Sequence, residues 1–480
     1  MTPINISAMS RIAVSLSSKG FHRSMSSTCQ LGAVVVVSSL YPHPSASAAG
    51  VRTHFMLDRF TKHSSIDHVH YLTGAAPNDL IENSYPNVSF HHIPPNDSAK
   101  MESLLGGIGS NLSMVIFDRF YAEEAYSFHF KEHCPHAIRI VDMQDMHSLR
   151  LGRQRIIFRN RALDSLVEDP FQNLNESIQH KPTTQDEILL RELASLHRSD
   201  LVMVCSPYEM ALLKKFGIPS SKLIKAPFWI EPTEVTQPGT RTTFASRNNF
   251  VFLGGFKHPP NVDTVKVLAE VIWPRIHSLL PEASLNIYGA FCPQQLMTKY
   301  KSVPNFFIHG FAPSLEDILT QHRVMLAPLR FGAGIKGKIV DAWRFGLPVV
   351  STEIGAEGMT VSDIWGGKIT HSVDDHVTAA TELYQNELEW ADASRQGTEL
   401  LDKLFPVSQW DSVMAKLIGV VQHRDELRSS DYQGAILWHQ TTRSTEFFSR
   451  WIECKNKGNI IRDNGAITSK STNYISPYVD

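Results

Sequence analysis

Residues 327–359 read APLRFGAGIKGKIVDAWRFGLPVVSTEIGAEGM. A strand ends at Pro328, a glycine-rich loop follows, and a helix begins near Lys338 before a second strand at residues 348–351. Gly332, Gly334 and Gly337 permit close backbone approach, and the helix start offers unpaired N–H groups at the positive end of its dipole. Lys336 and Lys338 add two full charges at the same place. A unit charge pair at 4 Å is worth roughly 4 kcal/mol at an effective dielectric of 20. Strand, glycine loop, cations and helix together describe an α/β unit that can hold a diphosphate. The plainer alternative is a glycine turn with solvated lysines.

Working outward, short apolar runs alternate with helical patterns in two stretches, the signature of parallel α/β units. Upstream, strands are expected at 33–38, 68–72, 88–91, 114–117, 138–142 and 201–205. The apolar run at 31–40 (LGAVVVVSSL) reads as a buried parallel strand, with the core of a secretory signal as the alternative. Residues 154–184 are polar and irregular and read as a loop or insertion. Ser206-Pro207-Tyr208-Glu209 opens a helix: serine caps, proline suits the first turn, and the glutamate can answer the cap. Residues 231–248 are rich in Thr, Pro and Ser and read as an interdomain linker. Downstream, strands are expected at 250–253, 285–288, 306–309, 324–327 and 348–351, with a helix opening at Asn261.

The expected organisation is therefore a tail at 1–30, a Rossmann-like domain at 31–230, the linker, a second Rossmann-like domain at 249–420 and an extension at 421–480. The pattern weakens after Val421, and residues from Lys455 read as a polar tail. Two α/β domains facing each other place the default ligand site in the cleft between them.

The composition narrows the function. The chain has 480 residues, 46 Lys+Arg against 48 Asp+Glu, so no global basic field is available for nucleic acid or an anionic membrane. Five scattered cysteines without a CxxC pair argue against a disulfide framework or structural zinc. No apolar run reaches the ~20 residues of a membrane span. The first thirty residues are acid-poor, serine-rich and basic, so the protein is expected in the cytoplasm, or in an organelle if that segment is a transit peptide. No DxD motif occurs, and neither a G-x-S-x-G elbow nor an HExxH motif is present. Gly332, Gly334 and Gly337 also match GxGxxG. The short helix after them, the paired lysines and the late position in the domain speak against a dinucleotide fingerprint.

FVFLGGFKHPPNVD, IHGFAPSLEDIL, APLRFGAGIKGKIVDAWRFGLPVVST and GAEGM together resemble the donor half of a GT-B glycosyltransferase of family 4. The likeness is strong from residue 250 to about 418 and looser upstream, through VVVVSSLYPHPSASAAGVRT, VIFDRFYAEEA and RIVDMQDMHSLR. It implies an α/β fold of two Rossmann-like domains facing across a cleft and transfer of a sugar from a nucleotide-diphosphate sugar. Retention, independence of metal and the lack of any cofactor come with it, the nucleotide sugar being a substrate. The acceptor, whether glycan, lipid or protein, stays open.

Position by position, the resemblance places Gly254 and Gly255 against the diphosphate, with Lys257 close behind. Gly310 and Phe311 fall where the family holds the base, and Asp341 where a glutamate usually binds the ribose. The first glutamate of that Glu-x7-Glu motif is Ala333 here, so donor orientation falls to the loop amides, Gly334, Lys336 and Lys338. Upstream, residues 45–50 (SASAAG) would face the cleft and His147, with Arg150 nearby, the reacting sugar. Asp118, Arg119 and Glu123 end another strand and can touch acceptor, or form a surface ion pair. Lys336, Lys338 and His147 are thus the expected catalytic residues. A catalytically quiet nucleotide-sugar or glycan binder, and an epimerase on the same fold, remain as alternatives.

Overall fold

The computed structural model describes residues 30–42, 48–159, 169–231, 235 and 242–463, with side chains to residue 456. The tail at 1–29, the first half of the small-residue loop at 45–50, residues 160–168 of the expected insertion and half of the linker lie outside the described residues.

Two parallel sheets organise the chain. The first holds β1 (Gly32–Val37), β2 (Ile66–Thr73), β3 (Val88–His92), β4 (Leu112–Asp118), β5 (Ile138–Asp142), β6 (Leu201–Val204) and β7 (Leu223–Lys225), in the order β3-β2-β1-β4-β5-β6-β7. The second holds β8 (Asn248–Leu253), β9 (Leu285–Tyr288), β10 (Phe306–Gly310), β11 (His322–Ala327), β12 (Val349–Thr352) and β13 (Gly367–Thr370), ordered β10-β9-β8-β11-β12-β13. Gly32–Val37 is buried along its whole length, as a strand covered on both faces must be, so the apolar run is core. Register follows the apolar faces: Val34 pairs with Met114, and Val324 with Phe250.

The strand order reverses between β1 and β4 and again between β8 and β11. These are the switch points where open α/β sheets bind ligands. The glycines after β8 and the lysine-bearing loop after β11, far apart in sequence, therefore end beside each other.

Several elements depart from expectation. β7 and β13 are additional strands of three and four residues, too short to show periodicity. The stretch read as an irregular insertion contains the end of helix His147–Ile157 and a further helix, Leu174–Gln179. Asn261 does not cap its helix, which is Pro259–Val267 with His258 as the flanking residue. The expected polar tail from Lys455 continues helix Tyr432–Asp463, with no proline to stop it.

The chain crosses between the domains more than once. Phe171 and Leu174 join the core of the second sheet. Helix Gln409–Gln422 returns to the first, where Trp410, Val413 and Leu417 pack with Val34, Phe60 and Trp229.

Candidate functional site

At the second switch point the loop after β11 is held from three sides. Gly334 is left-handed (φ +67°), and an added Cβ would lie 2.9 Å from Asp145 Cβ of the first domain. Glycine is required there by both conformation and space. The Gly334 amide donates to Glu209 Oε1 (2.8 Å), which also accepts from the Met146 amide (3.0 Å). Arg153, fully buried, donates to the Gly332 carbonyl (2.8 Å) and pairs with both oxygens of Glu357 (3.0 and 2.6 Å). The loop is therefore stitched to the first domain by groups that no local sequence pattern connects.

Helix Gly337–Arg344 starts from this loop. A Cβ on Gly337 would meet Ala48 Cβ at 3.2 Å, and Ala48 begins helix Ala48–Lys62 of the first domain. Two helix N-termini thus converge across the cleft, bringing the positive ends of their dipoles together. The described part of the small-residue loop, Ala48 to Gly50, sits where a cleft-facing role needs it.

Lys336 and Lys338 flank that convergence. Lys336 is buried, and its ammonium donates to the Gly334 carbonyl (2.9 Å). Burial pushes its pKa down to about 8, against the attraction of Glu357. Lys338 donates to Asn261 Oδ1 (2.5 Å) and lies over the Phe252 ring. Burial, and then the neighbouring Lys336, push its pKa down to about 7. Two mutually repelling ammonium groups at paired helix starts form a site that an anion would relieve.

Asn261 connects the two loops, accepting from Lys338 and donating to the Gly255 carbonyl (2.8 Å). A Cβ on Gly254 would fall 2.5 Å from the Asn261 side chain, so this glycine makes room for that residue. Gly255 has open space where its Cβ would be. Lys257 is exposed and rests over the Phe291 ring. Gly310 is left-handed (φ +80°) at the end of edge strand β10, and Phe311 is 51% exposed. They lie two strands, roughly 10 Å, from β8. Asp341, half-buried, is one turn beyond Lys338 and pairs with Arg344 (3.2 Å).

Across the cleft, His147 Nε2 lies 3.2 Å from Asp145 Oδ1 without hydrogen-bond alignment, and its backbone amide donates to Glu192 (2.6 Å). Burial alone would raise Asp145. Arg150 and His147 outweigh it and hold that carboxyl well below its usual range. His147 therefore reaches the glycine loop through Asp145.

Other upstream candidates are committed within the first domain. Asp118 accepts from Ser38 Oγ (2.6 Å) and pairs with Arg119 (3.2 Å), while Glu123 forms a buried pair with Arg198. Glu123 is not an acceptor contact.

The sequence reading missed Glu209, Arg153 and Glu357. Glu209 was expected to answer its helix cap, and Ser206 does accept from the Glu209 amide. The carboxylate instead crosses to the glycine loop. A buried acid in a capping box carries no local mark of such a partner.

Residues 247–386 match the family model of glycosyl transferases, group 1. No curated protein matches the chain. Among solved structures, an Anabaena HepE complex with UDP-glucose is similar at 12% identity, over 81% of this chain and 99% of that one (TM-score 0.56). Sucrose-phosphate synthase from Thermosynechococcus elongatus is similar at 13% identity, over 83% and 100% (TM-score 0.57). A glycosyltransferase from Rickettsia africae is similar at 9% identity, over 83% and 99% (TM-score 0.54). The two facing Rossmann-like sheets are the GT-B fold. The family match falls within the second domain, whose residues 247–386 are similar to group 1 glycosyl transferases.

Proposed function

We propose that the protein is a family 4-type glycosyltransferase that moves a sugar from a nucleotide-diphosphate sugar to an acceptor, with retention and without a metal. The observation that carries this reading is the convergence of Lys336, Lys338 and two helix N-termini on one cleft position. Charge develops on the departing diphosphate as the glycosidic bond breaks, and preorganised cations and N–H dipoles stabilise it. In this reading Asp341 holds the nucleoside ribose, and Gly310 and Phe311 the base. Asp145 and His147 approach the sugar side from the first domain, which binds the acceptor whose hydroxyl takes the sugar as the nucleoside diphosphate leaves. The closed interface excludes water, the competing acceptor.

Lys336→Ala removes a cation that is costly to bury, so the fold survives while transfer falls by roughly 100-fold or more. Unchanged kcat with a competent donor would overturn the reading. Thermal-shift screening with UDP-, GDP- and ADP-sugars identifies that donor, since selective binding raises stability by mass action.

A second reading rests on Ala333. Its methyl packs against the first domain's core where the family carries a sugar-contacting glutamate. A nucleotide-sugar or glycan binder without turnover would show the same melting shift, with no transfer to any acceptor in a broad panel.

A further inference from the structure

Helix Tyr432–Asp463 turns one side to the first domain, against helices Phe120–His133 and Glu187–Arg198. On that side Ser449 donates to Asn96 Oδ1 (2.8 Å), and the Glu453 carboxylate accepts from the Ser98 amide and hydroxyl (3.1 and 2.6 Å). The opposite side runs through 432, 436, 440, 443, 447 and 451, steps of four or three that keep one face of a helix. Four of these six are apolar or aromatic and open to solvent: Tyr432 (78% exposed), Ile436 (62%), Phe447 (59%) and Trp451 (57%). Phe448, 60% exposed, stacks beside Trp451 at 5.9 Å. Phe447, Phe448 and Trp451 thus form an exposed aromatic cluster, with Tyr432 and Ile436 further along the same face.

The charges on the ridge itself have one sign. Arg443 sits on the ridge, 5.9 Å over Phe447, and Lys455 lies 5.2 Å over Trp451. Arg450 flanks the ridge and meets Glu446 (2.9 Å) and Glu132 (3.4 Å) at its edge. Glu453 is turned inward to Ser98, so the ridge itself carries no acid.

We propose that this face docks the protein onto an anionic lipid bilayer, with the helix lying flat in the interface. Aromatic rings settle at the headgroup level while adjacent cations meet lipid phosphates, a pairing that an interfacial helix requires. The charge pattern favours this occupant over a second copy. A two-fold contact along the ridge would set Arg443 and Lys455 against their own counterparts. Among the described residues no helix is long and apolar enough to cross a membrane, so the attachment is peripheral. The helix is about 48 Å long and fixed to the first domain, which docking therefore holds beside the surface.

The test is co-sedimentation of the full-length protein with vesicles of phosphatidylcholine alone or with about a third phosphatidylglycerol. Binding is expected on the anionic vesicles, weakening as salt is raised, with little on the neutral ones. Phe447→Ser/Phe448→Ser/Trp451→Ser and, separately, Arg443→Glu/Lys455→Glu should each weaken it by about tenfold or more. An unchanged melting temperature shows that the variants fold, and the charge variant serves if the aromatic one does not. Absence of binding to anionic vesicles, or binding that neither folded variant weakens, would overturn the proposal. So would sedimentation velocity showing a dimer that the aromatic variant dissociates.

Discussion

Lys336 and Lys338 carry a burial cost that an anionic ligand would offset. In the free protein, burial lowers Lys336 to about 8, and burial with the neighbouring Lys336 charge lowers Lys338 to about 7. A nucleotide sugar, whose two phosphate diester charges do not titrate near neutrality, pulls both values back up. Binding then takes up protons once the free lysines begin to lose them. Donor affinity is therefore expected to be highest below about pH 7 and to fall as pH rises toward 9, by up to about tenfold per unit for each lysine involved. Calorimetry in buffers of different ionisation heat reads the uptake directly, and a flat profile would count against the site. Glu209 gives an opposite handle. Burial, then the nearby Asp145 charge, raise its carboxyl to about 8 in the folded protein. A carboxyl raised on folding stabilises most below its unfolded pKa, and that contribution is lost as pH climbs through about 8. Glu209→Gln keeps an oxygen acceptor for the Met146 and Gly334 amides, so its melting temperature should lack the wild-type decline between about pH 4.5 and 8. Glu209→Ala strands two buried N–H groups and should cost about 2–4 kcal/mol in chemical denaturation.

At the scale of elements, the loop from Gly332 to Lys336 shows what a sequence discloses. Its glycines, lysines and following helix were legible because close backbone approach and an anion-binding helix start need those residue types locally. The long buried strands were legible for the same reason, since the continuous apolar runs Val34 to Val37 and Phe250 to Leu253 fit strands covered on both faces. β7 and β13 were not, because three or four residues fixed by their neighbours carry no period of their own. Helix Tyr432–Asp463 was hidden differently: it has apolar residues on both faces, so no amphipathic stripe stands out. The partners of the glycine loop were illegible too, as Glu209 lies 125 residues before Gly334. Gly334→Ala tests the loop as a unit. It forces a side chain into a left-handed backbone and toward Asp145, and should cost about 1–3 kcal/mol while weakening donor binding more than Gly255→Ala, which has open space. Equal donor affinities for the two variants would show that close approach at Gly334 is not what the loop provides.

For the molecule as a whole, the question is what holds two domains closed over a site that must open for its ligand. Arg153 is fully buried, grips Glu357 through two hydrogen bonds and also caps the Gly332 carbonyl, so one side chain from the first domain anchors two segments of the second. A nearby contact reinforces it: Ser177 Oγ donates to the Arg330 carbonyl (2.8 Å), and Arg330 pairs with Asp263. Removing one partner of a buried pair leaves the other charge without compensation, at about 3–5 kcal/mol. The domains can meet that cost by parting and hydrating the orphan, which the Phe171 and Gln409–Gln422 crossovers permit without unfolding either sheet. Arg153→Met should therefore favour an open arrangement, seen as a larger radius of gyration in solution scattering, with donor KM raised by roughly tenfold or more. Glu357→Gln alone should behave similarly. The double variant, with no orphaned charge, should be less open than the two single effects predict, with a coupling of about 1–3 kcal/mol. If both single variants scatter as the wild type does and keep its KM, the latch lies elsewhere in the interface.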